Sequence, residues 1–249
     1  MRQDEVTEAA RLLAEARRPG KRIAGLPVHP ETVAEAHAVQ DAVAARLGEA
    51  IGAFKANAPP NEEPTRGLIY SRTIRPSPAC VPAAEAPDRG VEGEVAFRFT
   101  RDVPPRERPY TREEVAEAVD ACAAIEVVSS RFQDHTTRSA LEKLADNISN
   151  GGFVPGAPVR DWRGLNLGGI HVALTVNGQV VLEQDGGHPT GDPLGVAVEL
   201  VNMMRTGAGV RAGQFVTCGS YTGVRFLKPG DRCAVRFVGL GDAEVAFDG

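Results

Sequence analysis

The sequence of 249 residues predicts an α+β fold, with helices near the N-terminus and a β-rich remainder. Residues 4–18 carry apolar side chains near helical spacing, and a second helical pattern runs from about Pro30 to Leu47. The 27 glycines and 18 prolines favour turns and short strands over a helical bundle. We therefore expect an N-terminal helical segment over residues 1–50 and a β-rich domain over residues 51–249, acting together as one functional unit.

The first half of the β-rich part mixes loop, strand and helix patterns. Proline-rich sequence predicts a loop over residues 51–90, and alternation predicts a strand over residues 91–99. Residues 112–124 predict a helix that begins with a capping box formed by Thr111 and Glu114. The apolar run that follows this helix predicts a buried strand.

Four further strand patterns follow Pro155, and turn signals at Asn177-Gly178 and Gly230-Asp231 separate them. Residues 193–206 predict one more helix between them. The strand patterns have the sequences GIHVALTVNG, QVVLEQDG, QFVTCGS and RCAVRFVGLGDAEVAF.

Charge and composition exclude several classes of function. The formal net charge is −5, which gives no reason to expect nucleic acid or an anionic membrane as a partner. No apolar run approaches the length of a membrane span, and the charged N-terminus lacks the apolar core of a signal peptide. We therefore expect a cytoplasmic protein. Its four cysteines form no CxxC motif, which argues against a zinc site.

An acidic pair, Glu92 and Glu94, lies at the start of the strand predicted over residues 91–99. Side chains at positions i and i+2 of a strand point to the same face, so the two carboxylates should lie close together. Such a pair persists where a cation or a proton relieves the repulsion. The alternative is that both carboxylates are solvated on an outer face.

A third carboxylate, Glu126, interrupts the apolar run AAIEVV. A carboxylate in such a run is rarely buried without a partner. One interpretation is an ion pair with Arg131 or another basic group, and the other is a shared ion with Glu92 and Glu94. Three carboxylates without a nearby cysteine or histidine favour a hard divalent ion, Mg²⁺ or Mn²⁺, over Ca²⁺.

Five segments resemble the fumarylacetoacetate hydrolase superfamily, and in particular its 2-keto-4-pentenoate hydratases and 4-oxalocrotonate decarboxylases. The segments are IGAFKANA, VEGEVAFRF, AIEVVSSRF, LADNISNGGFVPG and GQFVTCGSYTG. The resemblance runs from about Gly52 to Phe247. It implies a mixed β-sandwich roll with helices outside, a catalytic role for the β-rich domain, and a homo-oligomer. It also implies association with a related decarboxylase as a further expectation.

The resemblance also assigns roles to individual residues. It implies that the three glutamates bind the metal and that Lys55 is the catalytic lysine, carried near a mobile loop. A surface lysine is the alternative for Lys55, and a turn-forming role is the alternative for Asp146, Asn147 and Ser220. Predicted substrate contacts are Asn57, Asp146, Asn147 and Ser220.

The activity implied is a hydratase that adds water to a 2-hydroxy-2,4-dienoate, so the expected ligand is a small 2-oxo or 2-enol acid. Decarboxylation of a 4-oxalocrotonate-like diacid is the first alternative. Hydrolysis of a C–C bond in an acylpyruvate is the next, although no histidine lies between His37 and His135 to build the hydrolases' histidine–glutamate pair. A non-catalytic partner subunit is the last, because residues 57–69 depart from the family pattern.

Overall fold

The computed structural model describes residues 1–19 and 21–248. Its helices pack outside two β-sheets. The helices are α1 (Gln3–Ala16), α2 (Val33–Leu47), α3 (Arg112–Glu117), α4 (Ala140–Ala145) and α5 (Pro193–Met204). Within the described part of the chain, no helix combines the length and the apolar character that a membrane crossing requires.

The larger sheet has the strand order β2-β1-β9-β4-β5-β6, with β10 paired to β4, and the smaller has the order β3-β12-β11-β7-β8. Neighbouring strands in both sheets run antiparallel except for the β1–β9 and β3–β12 pairs. The strands are β1 (Ile51–Asn57), β2 (Thr65–Tyr70), β3 (Ala79–Val81), β4 (Gly90–Phe99), β5 (Val119–Val128), β6 (Asn150–Pro155), β7 (His171–Val176), β8 (Gln179–Asp185), β9 (Phe215–Ser220), β10 (Arg225–Phe226), β11 (Arg232–Phe237) and β12 (Gly241–Phe247).

The larger sheet curls until the chain beyond β2 meets β6. Ile74 pairs with Phe153, and the amide of Arg75 donates to the carbonyl oxygen of Phe153 at 2.9 Å. One face of the sheet thereby becomes the inside of a roll. Its apolar lining consists of Ala53, Ile69, Ala96, Cys122, Ala124 and Phe153.

The smaller sheet packs on the outer face of β4 and β5, and its inward side chains share the main core with them. The two layers approach closely at Gly93, where an added Cβ would lie 2.7 Å from Cγ2 of Val235. The glycine between Glu92 and Glu94 therefore gives the second sheet room on the outside, while the two glutamates point into the roll.

The N-terminal helices form a second cluster, in which Val6, Leu13 and Val39 pack with Tyr70 and Phe132 of the rest of the chain. The division at residue 50 into a helical segment and a β-rich domain stays a prediction. The second helix begins at Val33 and not at Pro30, because Thr32 caps it by accepting from the Glu35 amide at 3.2 Å.

The predicted loop over residues 51–90 is wrong, since this segment contains β1, β2 and β3. Strand β1 lies inside the larger sheet, with Ala53 and Phe54 both buried although they point to opposite faces. A strand covered on both sides lacks the alternation from which strands are predicted. Strand β6 and helix α4 were not predicted either.

The predicted helix over residues 112–124 ends early, at Glu117, and β5 begins at Val119. The capping box of Thr111 and Glu114 is confirmed. The alanines beyond it favour a helix by propensity. As strand β5, however, this segment pairs with β4 on one side and with β6 on the other, and that pairing overrides the preference. The strand over residues 91–99, the first three later strand patterns and helix α5 are confirmed within a few residues, whereas the fourth pattern forms two paired strands, β11 and β12.

The stability of the fold is expected to fall in mild acid because of His37. Burial, with the nearby charge of Arg66, lowers the pKa of His37 to about 4, and its Nε2 accepts from the Arg66 amide at 3.2 Å. Between pH 6.5 and 4 the unfolded chain therefore binds more protons, so stability is lost as the pH falls through this window. After allowance for partial exposure, we expect about 1 kcal/mol between pH 7 and pH 5.

Urea unfolding of the wild type and His37→Gln at pH 7 and pH 5 measures this contribution. The glutamine retains an acceptor but does not titrate, so the other titrating groups contribute equally to both proteins. The variant should lose less free energy of unfolding over this pH interval. Equal losses in the two proteins would contradict the assignment.

Candidate metal centre

Three carboxylates meet inside the roll, on the two central strands β4 and β5. The antiparallel register places Glu92 directly opposite Glu126, and Glu94 follows Glu92 on the same face. One oxygen from each lies within 4.8 Å of the others. Glu94 and Glu126 are fully buried, whereas Glu92 keeps 16% of its side chain exposed.

Lys55 reaches the same cluster from β1, which is separated from β4 by β9. Its Nζ lies 3.3 Å from Oε2 of Glu92 and 2.9 Å from Oε2 of Glu126. Only 14% of the side chain is exposed. The lysine is therefore neither a surface residue nor part of a mobile loop, but is fixed in a paired strand.

Glu94 is held by strand β9. Its Oε2 accepts from the hydroxyl of Thr217 and from the amide of Gly219, the latter at 2.7 Å. Gly219 has a φ of 119°, and a Cβ there would lie 3.4 Å from Nε2 of His188. That nitrogen lies 2.8 Å from the carbonyl oxygen of Cys218. The imidazole of His188 and the positive φ of Gly219 together position the backbone amide that holds Glu94.

Glu126 is held by strand β6. The side-chain amide of Asn150 donates to Oε1 of Glu126 at 3.0 Å and to the carbonyl oxygen of Gly152 at 3.1 Å. The carbonyl oxygen of Asn150 accepts from Nη1 of Arg131 at 2.6 Å. Arg131 therefore supports the residue that orients Glu126 and does not pair with Glu126 itself.

The charges in this cluster do not balance, because one lysine faces three glutamates. Burial raises the pKa of Glu126 to about 8 and also raises the pKa of Glu94, although Lys55 opposes both shifts. Burial disfavours the charge on Lys55, but the attraction of Glu126, Glu92 and Glu94 is larger, and the pKa of the lysine rises. The site is therefore short of positive charge.

A divalent cation fits this donor set. Oε1 of Glu94 is buried and has no hydrogen-bond partner in the described part of the chain, which is costly for a carboxylate oxygen. Three carboxylates from rigid strands offer the oxygen ligands that Mg²⁺, Mn²⁺ and Ca²⁺ prefer. Glu92, Glu94 and Glu126 could therefore hold such an ion, with Glu94 Oε1 as one of its ligands.

The four predicted substrate contacts lie in different surroundings. Asn57 is exposed at the end of β1, on the same face as Lys55, and Ser220 is paired with Glu94 at the end of β9. Asn147 is buried, and its Oδ1 accepts from the Leu68 amide at 3.0 Å while its Nδ2 has no partner among the described residues. Asp146 is buried, and both of its oxygens bond to Arg131, which supports a structural role for this residue.

Several residues that shape the site were not predicted from the sequence. Thr217 and Gly219 orient Glu94, and Asn150 orients Glu126. All three lie in segments that carry the family resemblance, so the sequence indicated that these segments belong to the site but not which of their residues contact the carboxylates. Which member of each segment meets a carboxylate depends on strand register, and the pattern of residues within one segment does not determine that register.

Replacing Asp146 is expected to destabilise the protein strongly. Asp146 and Arg131 are 1% and 7% exposed, so Asp146→Asn leaves a buried guanidinium without its counter-charge. Breaking a buried pair in this way costs about 3–5 kcal/mol. Urea unfolding measures the loss, with Asp185→Asn as the control, because Asp185 is 80% exposed and pairs with His171 at the surface. The prediction fails if the two variants are equally stable.

Comparisons with a family profile and with known proteins point to the same protein family. The profile of the fumarylacetoacetate (FAA) hydrolase C-terminal family matches residues 38–247. A 2-keto-4-pentenoate hydratase of Paraburkholderia xenovorans (strain LB400) is 30% identical over 256 aligned residues, which cover 97% of this chain and 94% of the relative. A 4-oxalocrotonate decarboxylase of Pseudomonas putida is 29% identical over 136 residues, covering 54% of this chain and 51% of the relative.

A solved structure agrees with the fold. The 4-oxalocrotonate decarboxylase from Pseudomonas putida G7, complexed with magnesium and adipate, superimposes with a TM-score of 0.85 at 23% identity. The superposition covers 99% of this chain and 98% of the other. The predicted α+β fold is thereby confirmed. The match over residues 38–247 and the 30% identity to the hydratase relative confirm the predicted family resemblance and establish that the chain belongs to the fumarylacetoacetate hydrolase family.

Proposed function

We propose that the protein is a metal-dependent hydratase, which adds water to a 2-hydroxy-2,4-dienoate and releases a 4-hydroxy-2-oxo acid. The observation that carries this proposal is the buried cluster of Glu92, Glu94 and Glu126 beside Lys55, with one carboxylate oxygen of Glu94 left without a partner in the described chain. The hydratase relative that aligns over 97% of the chain supports the choice of reaction.

Mg²⁺ or Mn²⁺ is the proposed cofactor, held by Glu92, Glu94 and Glu126. When bound, such an ion supplies Lewis-acid stabilisation of negative charge on the C2 oxygen of a 2-oxo or 2-enol acid. The strands make the site rigid, since each of the three glutamates belongs to a paired segment of β4 or β5. Thr217, Gly219 and Asn150 hold two of the carboxylates in place.

Lys55 is the proposed proton donor and acceptor. Hydration requires a proton at C5 of the dienol and loss of the enol proton, which gives a 2-oxo-3-ene. One water molecule then adds across the C3=C4 bond, with its hydroxyl group at C4 and its remaining proton, passed through Lys55, at C3. The ammonium nitrogen Nζ of Lys55 lies within 3.3 Å of oxygens of two of the carboxylates, next to where the acid would bind, so it can deliver and accept these protons.

Asn147, Ser220 and Asn57 are the proposed substrate contacts. The buried Nδ2 of Asn147 has no partner among the described residues and can donate to a substrate carboxylate. Ser220 offers a hydroxyl beside Glu94, and Asn57 lies two residues beyond Lys55 on the same face. Asp146 is proposed to order this region through Arg131, without touching the substrate.

Decarboxylation of a 4-oxalocrotonate-like diacid is the second candidate. A decarboxylase relative aligns over 54% of the chain, and loss of CO₂ from such an acid also leaves negative charge on a C2 oxygen. The same metal centre would serve both reactions. A cytoplasmic homo-oligomer that acts on small 2-oxo or 2-enol acids completes the proposal.

The deciding experiment follows the absorbance of 2-hydroxypenta-2,4-dienoate, and of related 2-hydroxydienoates and 2-oxo diacids, with Mg²⁺, with Mn²⁺ and without metal. Mass spectrometry of the products separates addition of water from release of CO₂. A hydratase consumes the dienoate only with metal and gains one water. Rapid CO₂ release from a diacid, with no hydration, would favour the second candidate. Absence of metal-dependent consumption of every acid would refute both.

A further inference from the structure

A basic cavity lies at the C-terminal end of α1, with a volume of about 620 Å³. Six of the side chains that line it are cationic, and the one acidic residue in this lining is Glu85. Neither Lys55 nor the three glutamates of the metal centre line it. The cationic residues are Arg17, Arg18, Lys21, Arg22, Arg72 and Arg131.

Three of these six cations already have counter-charges. These ion pairs are Arg22 with Asp88, Arg72 with Glu49, and Arg131 with Asp146. The lining carboxylate is also occupied, because Glu85 pairs with Arg75 at 2.9 Å. The positive charge that remains in the cavity therefore comes from the other three side chains.

Arg17, Arg18 and Lys21 have no carboxylate within ion-pair distance in the part of the chain that the structure describes. Arg18 and Lys21 are exposed. The guanidinium of Arg17 lies 4.8 Å from the ring centroid of Tyr70, and its buried Nε has no hydrogen-bond partner there. Burial, together with the charge of Arg131, lowers the pKa of Arg17 to about 10. Arg17 therefore carries an unsatisfied donor, and the cavity that this residue lines has excess positive charge.

We propose that this cavity binds a small polyanion through a phosphoryl group, with Arg17, Arg18 and Lys21 as its principal partners. Guanidinium and ammonium donors match phosphate oxygens in geometry and charge. The charge of two or three unpaired cations is balanced better by a phosphate dianion than by a single carboxylate. The volume exceeds what phosphate alone needs, which leaves room for an organic portion of the ligand.

Titration calorimetry with inorganic phosphate, on the full chain with Mg²⁺ and at constant ionic strength, tests the proposal. The variant Arg18→Gln/Lys21→Gln changes two exposed side chains, so it should fold normally, whereas Arg17 packs on Tyr70. Arg160→Gln is the matched control, because Arg160 is also exposed but lies outside the cavity. We expect saturable binding by the wild type and the control, and at least about tenfold weaker binding by the double variant.

Two further titrations distinguish the cavity from the metal centre, and a phosphoryl group from a carboxylate. Glu126→Gln should bind phosphate as the wild type does, because Glu126 lies outside the cavity. Succinate, a dicarboxylate at matched ionic strength, should bind more weakly than phosphate. No saturable phosphate binding, or equal affinity in the double variant, overturns the site. Succinate binding as tightly as phosphate overturns its assignment to a phosphoryl group.

Discussion

Glu126→Gln is expected to lower metal-dependent turnover by at least about a hundredfold, together with the apparent affinity for Mg²⁺. The amide keeps the shape of the side chain but removes the charge opposite Glu92 in the β4–β5 pair. Because burial already disfavours the carboxylate at this position, the metal-free variant should unfold at the same urea concentration as the wild type, or at a higher one.

The measurement combines turnover of the dienoate across a Mg²⁺ titration with urea unfolding in the absence of metal. Glu117→Gln is the control, since that glutamate is 70% exposed and lies 3.6 Å from its arginine partner. It should change neither property. Wild-type turnover in Glu126→Gln would remove Glu126 from the proposed set of metal ligands, and with it the three-carboxylate centre.

Lys55→Met is expected to reduce turnover by about a hundredfold to ten-thousandfold and to destabilise the metal-free protein. Within the described chain, the lysine supplies the one positive side chain that pairs with Glu92 and Glu126. Without it, the buried carboxylates repel one another with no counter-charge, a change worth about 3–5 kcal/mol in comparable buried pairs. Added Mg²⁺ should restore much of the stability but not the turnover, because the metal replaces the charge and not the proton.

Urea unfolding with and without Mg²⁺, beside the turnover assay, resolves the two effects. Lys228→Met removes an exposed lysine and serves as the control. Normal turnover in Lys55→Met would show that proton transfer depends on another group. Stability that responds to Mg²⁺ in the same way as the wild type would show that Lys55 does not offset the carboxylate charges.

The acidic centre was predictable because its signals are local. Glu92 and Glu94 share a face by the two-residue period of a strand, and Glu126 is conspicuous within an apolar run. The structure confirms that the three lie together. It also identifies the basic group beside Glu126 as Lys55, while Arg131 pairs with Asp146. The ion shared by the three glutamates stays a prediction.

The position of Lys55 was not predictable from its neighbours. Strand β1 is covered on both faces, so its sequence lacks alternation, and the prolines that follow it favour a loop. The helix predicted over residues 112–124 failed for a related reason, since alanines fit a helix and the middle of a sheet equally well. In both places the outcome depends on pairing with other strands of the larger sheet, which the sequence of the segment itself does not specify.

The strand order of the larger sheet also bears on the order in which the charged residues of the metal centre can come together during folding. Strands β4 and β5 follow one another along the chain, so their pairing alone brings Glu92, Glu94 and Glu126 together. Lys55 joins them only when β1 pairs with β9, and that long-range contact forms slowly. A chain in which only β4 and β5 had paired would hold three carboxylates without their lysine, and a divalent ion that offset this repulsion would speed folding as well as slow unfolding.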